Sequence, residues 1–355
     1  MSANFFLIIL KYFSYLYSSV IILLGCDYKM ARKKRKKRLR LKPKVARFLI
    51  YFIFFIIMGI YTINESRKII ADFKYRETYE YKITEKGYKL EEAKKLIEIL
   101  PDEKLNYILD NEYNEMYYNI VSQKYYLNKN FEKYIQYKEY HEDTSYEDVI
   151  AIVNVHANAG WYNESYETNI NDGFLIIVNK FYHLDKSYER TDLQNINLAY
   201  AYANNSAAEI VIEKFKQMRD DIEEEMNVHL MVNSSYRSYE DQEEIYNEFK
   251  KVSLKYADSY AARPGYSEHQ TGLAIDITSL EHPTANEFKE SEEYKWLKEN
   301  CHKYGFVLRY PEGKEHITGY STESWHFRYV GEEAATQIYK ENITFDEYYA
   351  YYIEK

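Results

Sequence analysis

The chain is expected to fold as an α+β protein, a small and mostly antiparallel sheet flanked by helices. From residue 149 onward, short β-branched runs bounded by Asn, Gly and Asp read as strands. The helical stripes among them do not alternate with strands as βαβ units, which argues against a parallel sheet. A third observation sets the amino-terminal part aside: an apolar span follows a dense basic run, so that region stands apart from any folded domain.

With 355 residues and 46% hydrophobic content the chain can build a packed core and is not a disordered protein. Its 42 tyrosines suit half-buried surfaces in helices and strands alike and carry no chemistry by themselves. Cys26 and Cys301 suggest no disulfide framework and no cysteine-rich zinc knuckle, so any metal must be held by His, Asp or Glu. The net charge of −9 hides an asymmetry: residues 1–47 carry about +12, leaving roughly −21 for the rest. An acidic remainder argues against nucleic acid as a partner.

Residues 1–47 read as a basic cytoplasmic tail, with the run Ala31 to Arg38 on the inner side by the positive-inside rule. A nucleic-acid arm is the competing reading, but the run lies directly against an apolar span. That span, Phe48 to Ile63, is uncharged, with Arg47 placed to snorkel, and is read as a single transmembrane helix. Everything after Ile63 is then extracytoplasmic. A second apolar stretch, Phe5 to Gly25, is interrupted by Lys11, and its Leu23-Leu24-Gly25-Cys26 is a poor lipoprotein box; translation from Met30 is the better expectation, which makes residues 1–29 an artefact of a mis-assigned start.

Residues 64–145 read as a small helical module. Leu90, Ala93, Leu96, Ile97 and Leu100 recur at helical steps, Pro101 interrupts, and Leu105, Ile108 and Leu109 begin another stripe. Residues 146–345 form the α+β domain, with 346–355 as a tail. Strands are expected at Val149–Val155, Phe174–Val178, Val228–Val232, Phe306–Tyr310 and Trp325–Val330. Helices are expected around Ala207 to Met218, from Glu240 to Tyr256, and from Glu287 to Tyr304 with Gly305 just beyond its end.

The chemistry is concentrated in Arg263 to Ile277 and in Glu323 to His326. His269 and Asp276 flank Gly272, and the alternation of Leu273, Ile275 and Ile277 places Asp276 on the opposite face, toward a cleft. In Glu323-x-x-His326 a regular strand would send the two side chains to opposite faces. Glu323 is therefore expected in a turn, with strand pairing beginning near Trp325. Two imidazoles and a short carboxylate suit zinc, and a longer carboxylate held beside the metal can act as a base. HExxH is absent, which excludes the helical zincin arrangement, and no Ser-x-x-Lys or Gly-x-Ser-x-Gly supports a serine route. Arg237 follows the strand at 228–232, and a guanidinium is suited to grip a terminal carboxylate. The other histidines lack ligand-spaced partners.

Ser267-x-His269-x6-Asp276 with Glu323-x-Trp325-His326, preceded by Ser235-Tyr236-Arg237-Ser238-x3-Gln242, closely resembles the zinc D-alanyl-D-alanine carboxypeptidases of the VanY-like group over residues 171–340. The resemblance implies the zinc D-Ala-D-Ala peptidase (hedgehog-like) fold and one Zn2+ per chain held by His269, Asp276 and His326. It implies Glu323 as the catalytic base, Arg237 as the stabiliser of an oxyanion or substrate carboxylate, and Ser235, Tyr236, Gln242, Ser267 and Trp325 in substrate binding. Its substrates would be peptidoglycan stem peptides losing a terminal D-alanine. An L,D-carboxypeptidase acting on tetrapeptide stems would use the same residues, and a non-catalytic wall-binding module would not need Glu323.

Overall fold

The computed structural model describes residues 43–354. The basic run at 31–38, Cys26 and the expected start at Met30 lie outside the described residues. The chain divides into two compact units between Lys74 and Tyr75. Helix α1 (Pro43–Glu85) contributes to both. Within it, Arg47–Ala71 has a mean hydropathy of 1.8 and is long and apolar enough to cross a membrane, the single such helix among the described residues. The span is longer than the expected Phe48–Ile63.

The second unit begins with a helical layer: α2 (Leu90–Ile99), α3 (Asp102–Asp110), α4 (Glu115–Val121), α5 (Phe131–Tyr140) and α6 (Tyr146–Asn154). Ile83, Leu96, Leu105, Ile120, Phe131, Tyr134, Val149 and Val153 close one apolar core, which runs across the boundary expected at 145/146. Helix α6 replaces the strand expected at 149–155. Ser145 caps it by accepting from the Asp148 N–H at 3.0 Å, Glu147 and Asp148 favour its first turn, and residues 149–154 are buried on every side. A run buried all round carries no period by which to separate helix from strand.

Next come two short pairs, β1 (Tyr166–Glu167) parallel to β2 (Tyr182–His183), and β3 (Leu193–Asn195) antiparallel to β4 (Ser206–Ala208). The strand expected at 174–178 does not form: Phe174 and Leu175 end a 3-10 segment, and Ile176 to Val178 are buried irregular chain. The main sheet follows α7 (Glu209–Met226). Its strands β5 (Leu230–Ser234), β6 (Ala274–Ser279), β7 (Phe306–Tyr310) and β8 (Glu323–Tyr329) lie in the order β5-β6-β8-β7, all neighbours antiparallel. Alternation gives the sheet two faces. Val232, Ile275, Ile277, Phe306, Phe327 and Tyr329 pack against Val211, Phe215, Met218 and Ile222 of α7, each such burial contributing about 1.5–3 kcal/mol. Asp276, His326, Arg328 and Arg309 occupy the other face.

The two long helices expected after β5 and β6 are broken by serine caps. Ser253 separates α8 (Tyr239–Lys250) from α9 (Leu254–Tyr260), and Ser291 separates α10 (Ala285–Lys289) from α11 (Glu292–Asn300). A 3-10 turn then reaches Gly305, which has φ +84°, and a Cβ there would lie 2.6 Å from the Tyr329 ring. Gly305→Ala is therefore expected to destabilise the protein by about 1–3 kcal/mol, read as a lower urea midpoint; an unchanged midpoint would contradict this. Beyond α12 (Glu315–Thr318) and β8, α13 (Glu332–Glu341) leads to α14 (Phe345–Tyr348) and a π-helical turn through Ile353. Residues 346–353, expected as part of a tail, are thus helical, with Asp346 and Tyr351 buried.

Candidate active site

The turn Glu268–Thr271 ends at Gly272, whose φ of +67° lets the chain reverse into β6 within two residues. This sets His269 above Asp276. The β6–β8 register then pairs Asp276 with His326 directly across the ladder. One donor atom from each of His269, Asp276 and His326 lies within 4.8 Å of the others. His269 Nε2 is 3.5 Å and His326 Nδ1 3.1 Å from the same oxygen, Asp276 Oδ1.

The far side of each imidazole is fixed. His269 Nδ1 lies 2.6 Å from the Ser235 carbonyl, which can only accept, so the proton sits there and Nε2 faces Asp276. His326 Nε2 lies 3.3 Å from Glu268 Oε2, leaving Nδ1 for the centre. Asp276 Oδ1 is buried without a well-formed hydrogen bond among the described residues. Three inward donor atoms, with the outward nitrogens of both imidazoles anchored on oxygen acceptors, are the donor set and outer shell that a divalent cation requires, and the site fits zinc. Burial and the nearby Arg237 depress His269 to about 4, keeping it neutral. Burial also opposes charge on His326, but Asp276 and Glu268 outweigh it and raise that group to about 9, so cation binding would release its proton.

Glu323 departs from expectation. It is already in the strand, paired with Tyr310, and the turn predicted before Trp325 is instead a register shift inside the ladder. Between the pairs Leu308↔Phe327 and Tyr310↔Glu323, β7 advances two residues and β8 four. The bulge overrides strict alternation and turns Glu323 to the same side as His326, with Oε2 3.7 Å from Nδ1. Burial, reinforced by Asp276 and opposed by His326 and Arg237, lifts the Glu323 carboxyl to about 7.

These groups open into a cavity of about 240 Å³ that Arg237, Gln242, Ser267 and Trp325 also line. The backbone N–H of Arg237 donates to the His269 carbonyl at 3.3 Å, and its Nε is buried without a hydrogen-bond partner among the described residues. Gln242 donates from Nε2 to the Ala262 carbonyl at 2.8 Å, and its buried Oε1 has no hydrogen-bond partner among the described residues. Ser235 and Tyr236 do not line the cavity. Ser235 contributes its carbonyl to His269, and the Tyr236 N–H is held by Ser206.

Sequence reasoning passed over four neighbours. Glu268, inside the Ser-x-His motif, is fully buried between Arg309 and Arg328; burial would raise its pKa, but those guanidiniums and His326 hold it well below the usual carboxylate range. Its signal was an acid adjoining a candidate ligand in a buried turn. Tyr310 and Tyr320 form a cavity wall, and nothing distinguishes them among so many tyrosines. Lys180, buried, donates to the carbonyls of Asp258 and Gly319 at 2.8 and 2.5 Å and lies 4.3 Å from the Tyr320 ring, clamping the loop before Glu323; burial lowers it to about 8.

Residues 204–332 match the family profile described as VanY: D-alanyl-D-alanine carboxypeptidase. YodJ of Bacillus subtilis is 38% identical over 191 residues, covering 50% of this chain and 67% of that protein. A D-alanyl-D-alanine carboxypeptidase of Enterococcus faecalis is 37% identical over 185 residues, covering 49% of this chain and 65% of that one. The match thus spans about two thirds of these relatives. The solved structure of the LdcB LD-carboxypeptidase superposes with a TM-score of 0.50 at 34% identity, over 53% of this chain and 90% of that one. Sequence match, shared fold and the converging His269, Asp276 and His326 agree: the chain belongs to the VanY-like D-alanyl-D-alanine carboxypeptidase family.

Proposed function

We propose that this protein is a zinc-dependent D-alanyl-D-alanine carboxypeptidase that removes the terminal D-alanine from peptidoglycan stem peptides. The observation that carries the reading is the orientation of two imidazoles onto one buried carboxylate oxygen, Asp276 Oδ1, with Glu323 3.7 Å from His326 in the same cavity. His269, Asp276 and His326 would hold one zinc ion, which supplies Lewis acidity toward a carbonyl and lowers the pKa of water. Arg237 grips the terminal carboxylate of the peptide, its planar fork matching two oxygens. Glu323 accepts a proton at its carboxylate from the attacking water and delivers it to the departing amine. Gln242 Oε1 accepts an N–H from the bound peptide, and Ser267 and Trp325 bound the pocket. With α1 spanning the membrane and the basic tail inside, the catalytic unit lies on the extracytoplasmic side, where stem peptides are exposed.

A second reading is favoured by the LdcB LD-carboxypeptidase neighbour: an L,D-carboxypeptidase trimming tetrapeptide stems with the same residues. Incubating the full chain in detergent with pentapeptide and tetrapeptide stems and identifying the products decides between them. Alanine released from the pentapeptide at a kcat/KM at least about tenfold above that for the tetrapeptide is expected. The reverse preference would establish the second reading, and release from neither would overturn both.

A further inference from the structure

We propose that Asp346, on the carboxy-terminal helix α14, is a positioning residue for the metal centre, acting through Arg309 and Glu268 on the imidazole of His326. The inference rests on the reading of His269, Asp276 and His326 as metal ligands, and it brings into the site a segment beyond the 204–332 family match.

The connection is continuous and buried. Asp346 accepts from both terminal nitrogens of Arg309, with Nη2 to Oδ1 at 3.0 Å. Arg309 Nε donates to Glu268 Oε1 at 2.7 Å, and Arg328 Nη1 donates to the same oxygen at 3.0 Å. Glu268 Oε2 is thereby left for His326 Nε2. The side chains of Arg309, Arg328 and Glu268 are 0% exposed and that of Asp346 2%. Asp346 is itself held from the far side, by the Asn179 side-chain amide at 2.7 Å. Arg328 spends a further nitrogen on the carbonyls of Phe174 and Ile176.

Charge balance gives this geometry its function. Two guanidiniums face two carboxylates, so the group is neutral and Glu268 divides its oxygens cleanly, Oε1 to the arginines and Oε2 to the imidazole. Removing the Asp346 charge leaves two buried cations competing for one carboxylate. Glu268 is then drawn toward Arg309, which has lost the charge and one of the two acceptor oxygens that held its terminal nitrogens, and its hold on His326 weakens. An imidazole whose remote N–H is accepted by a carboxylate is oriented and made a stronger donor, and loss of such an outer partner costs about 10–100-fold in metal affinity or activity. Asp346 lies two contacts further out, so the lower end of that range is expected.

The test compares the full-length protein in detergent with Asp346→Asn and Asp346→Glu. Zinc affinity is measured by competition with a chromophoric chelator, the cobalt(II) absorption spectrum is recorded, and kcat and KM are measured on a stem peptide. Asp346→Asn is expected to bind zinc about tenfold more weakly with an altered cobalt spectrum, and to lower kcat with KM nearly unchanged, while Asp346→Glu recovers most of the affinity. Should Asp346→Asn not fold, Arg309→Lys carries the test, since it keeps the charge but removes the two-point grip. A folded variant of either kind with unaltered zinc affinity and cobalt spectrum overturns the proposal. Unaltered protein that binds no zinc overturns the metal reading itself, a separate result seen before any variant is compared.

Discussion

Glu323→Ala is expected to lower kcat on a D-alanine-terminated stem peptide by about 10²–10⁴-fold, or roughly 3–5 kcal/mol of barrier, while zinc content stays that of the unaltered protein. The side chain lies 3.7 Å from the nearest imidazole nitrogen and is not among the three groups whose donor atoms converge, so its loss leaves the donor set whole. Its burial is the reason the effect should be large. A carboxyl lifted to about 7 is matched to taking a proton and giving it back near neutral pH, and water in its place has no comparable basicity. Metal analysis beside steady-state kinetics checks both halves. A variant with full zinc and near-normal turnover would remove Glu323 from the proton transfers, and a variant without zinc would make it a ligand.

Removing the metal should have the other large effect. Protein stripped with a chelator is expected to retain less than about 1% of its activity and to recover it on adding one equivalent of zinc, whereas Asp276→Ala should not recover. Asp276 Oδ1 is the atom both imidazoles face, and without it two neutral nitrogens remain, too few for a tight zinc site. Stability should follow: a ligand present at about 100 times its Kd adds about 2.7 kcal/mol, so the unfolding midpoint of the unaltered protein should rise with zinc while that of Asp276→Ala stays level. Stripped protein of undiminished activity would show that the site works without a metal.

Much of the site was legible because its residues obey local rules. Asp276 opposite Ile275 and Ile277, Gly272 at a positive φ, and β7 and β8 are each fixed by alternation or by backbone chirality within a few residues. What was hidden depends on long-range pairing. The position of Glu323 follows from how β8 registers on β7, and no window around residue 323 contains that partner. Helix α6 was misread because complete burial erases the period that separates helix from strand. Serines 253 and 291 could have been read as caps, since each precedes a helix by one residue, but apolar spacing continues across both and masks the breaks. Glu268 and Asp346 are ordinary acids until Arg309, from strand β7, is placed between them.

The shift in β8 also says what this strand must preserve. A regular strand offers two side chains on one face at two-residue steps, about 6.6 Å apart along the chain, too far for a carboxylate to sit against a neighbouring imidazole without reaching. By spending two extra residues opposite Leu308 to Tyr310, β8 draws Glu323 back over His326, so that backbone register brings their side chains within 3.7 Å of each other. Ser324 and Trp325 therefore set the spacing between Glu323 and His326 by their number, while Trp325 also lines the cavity.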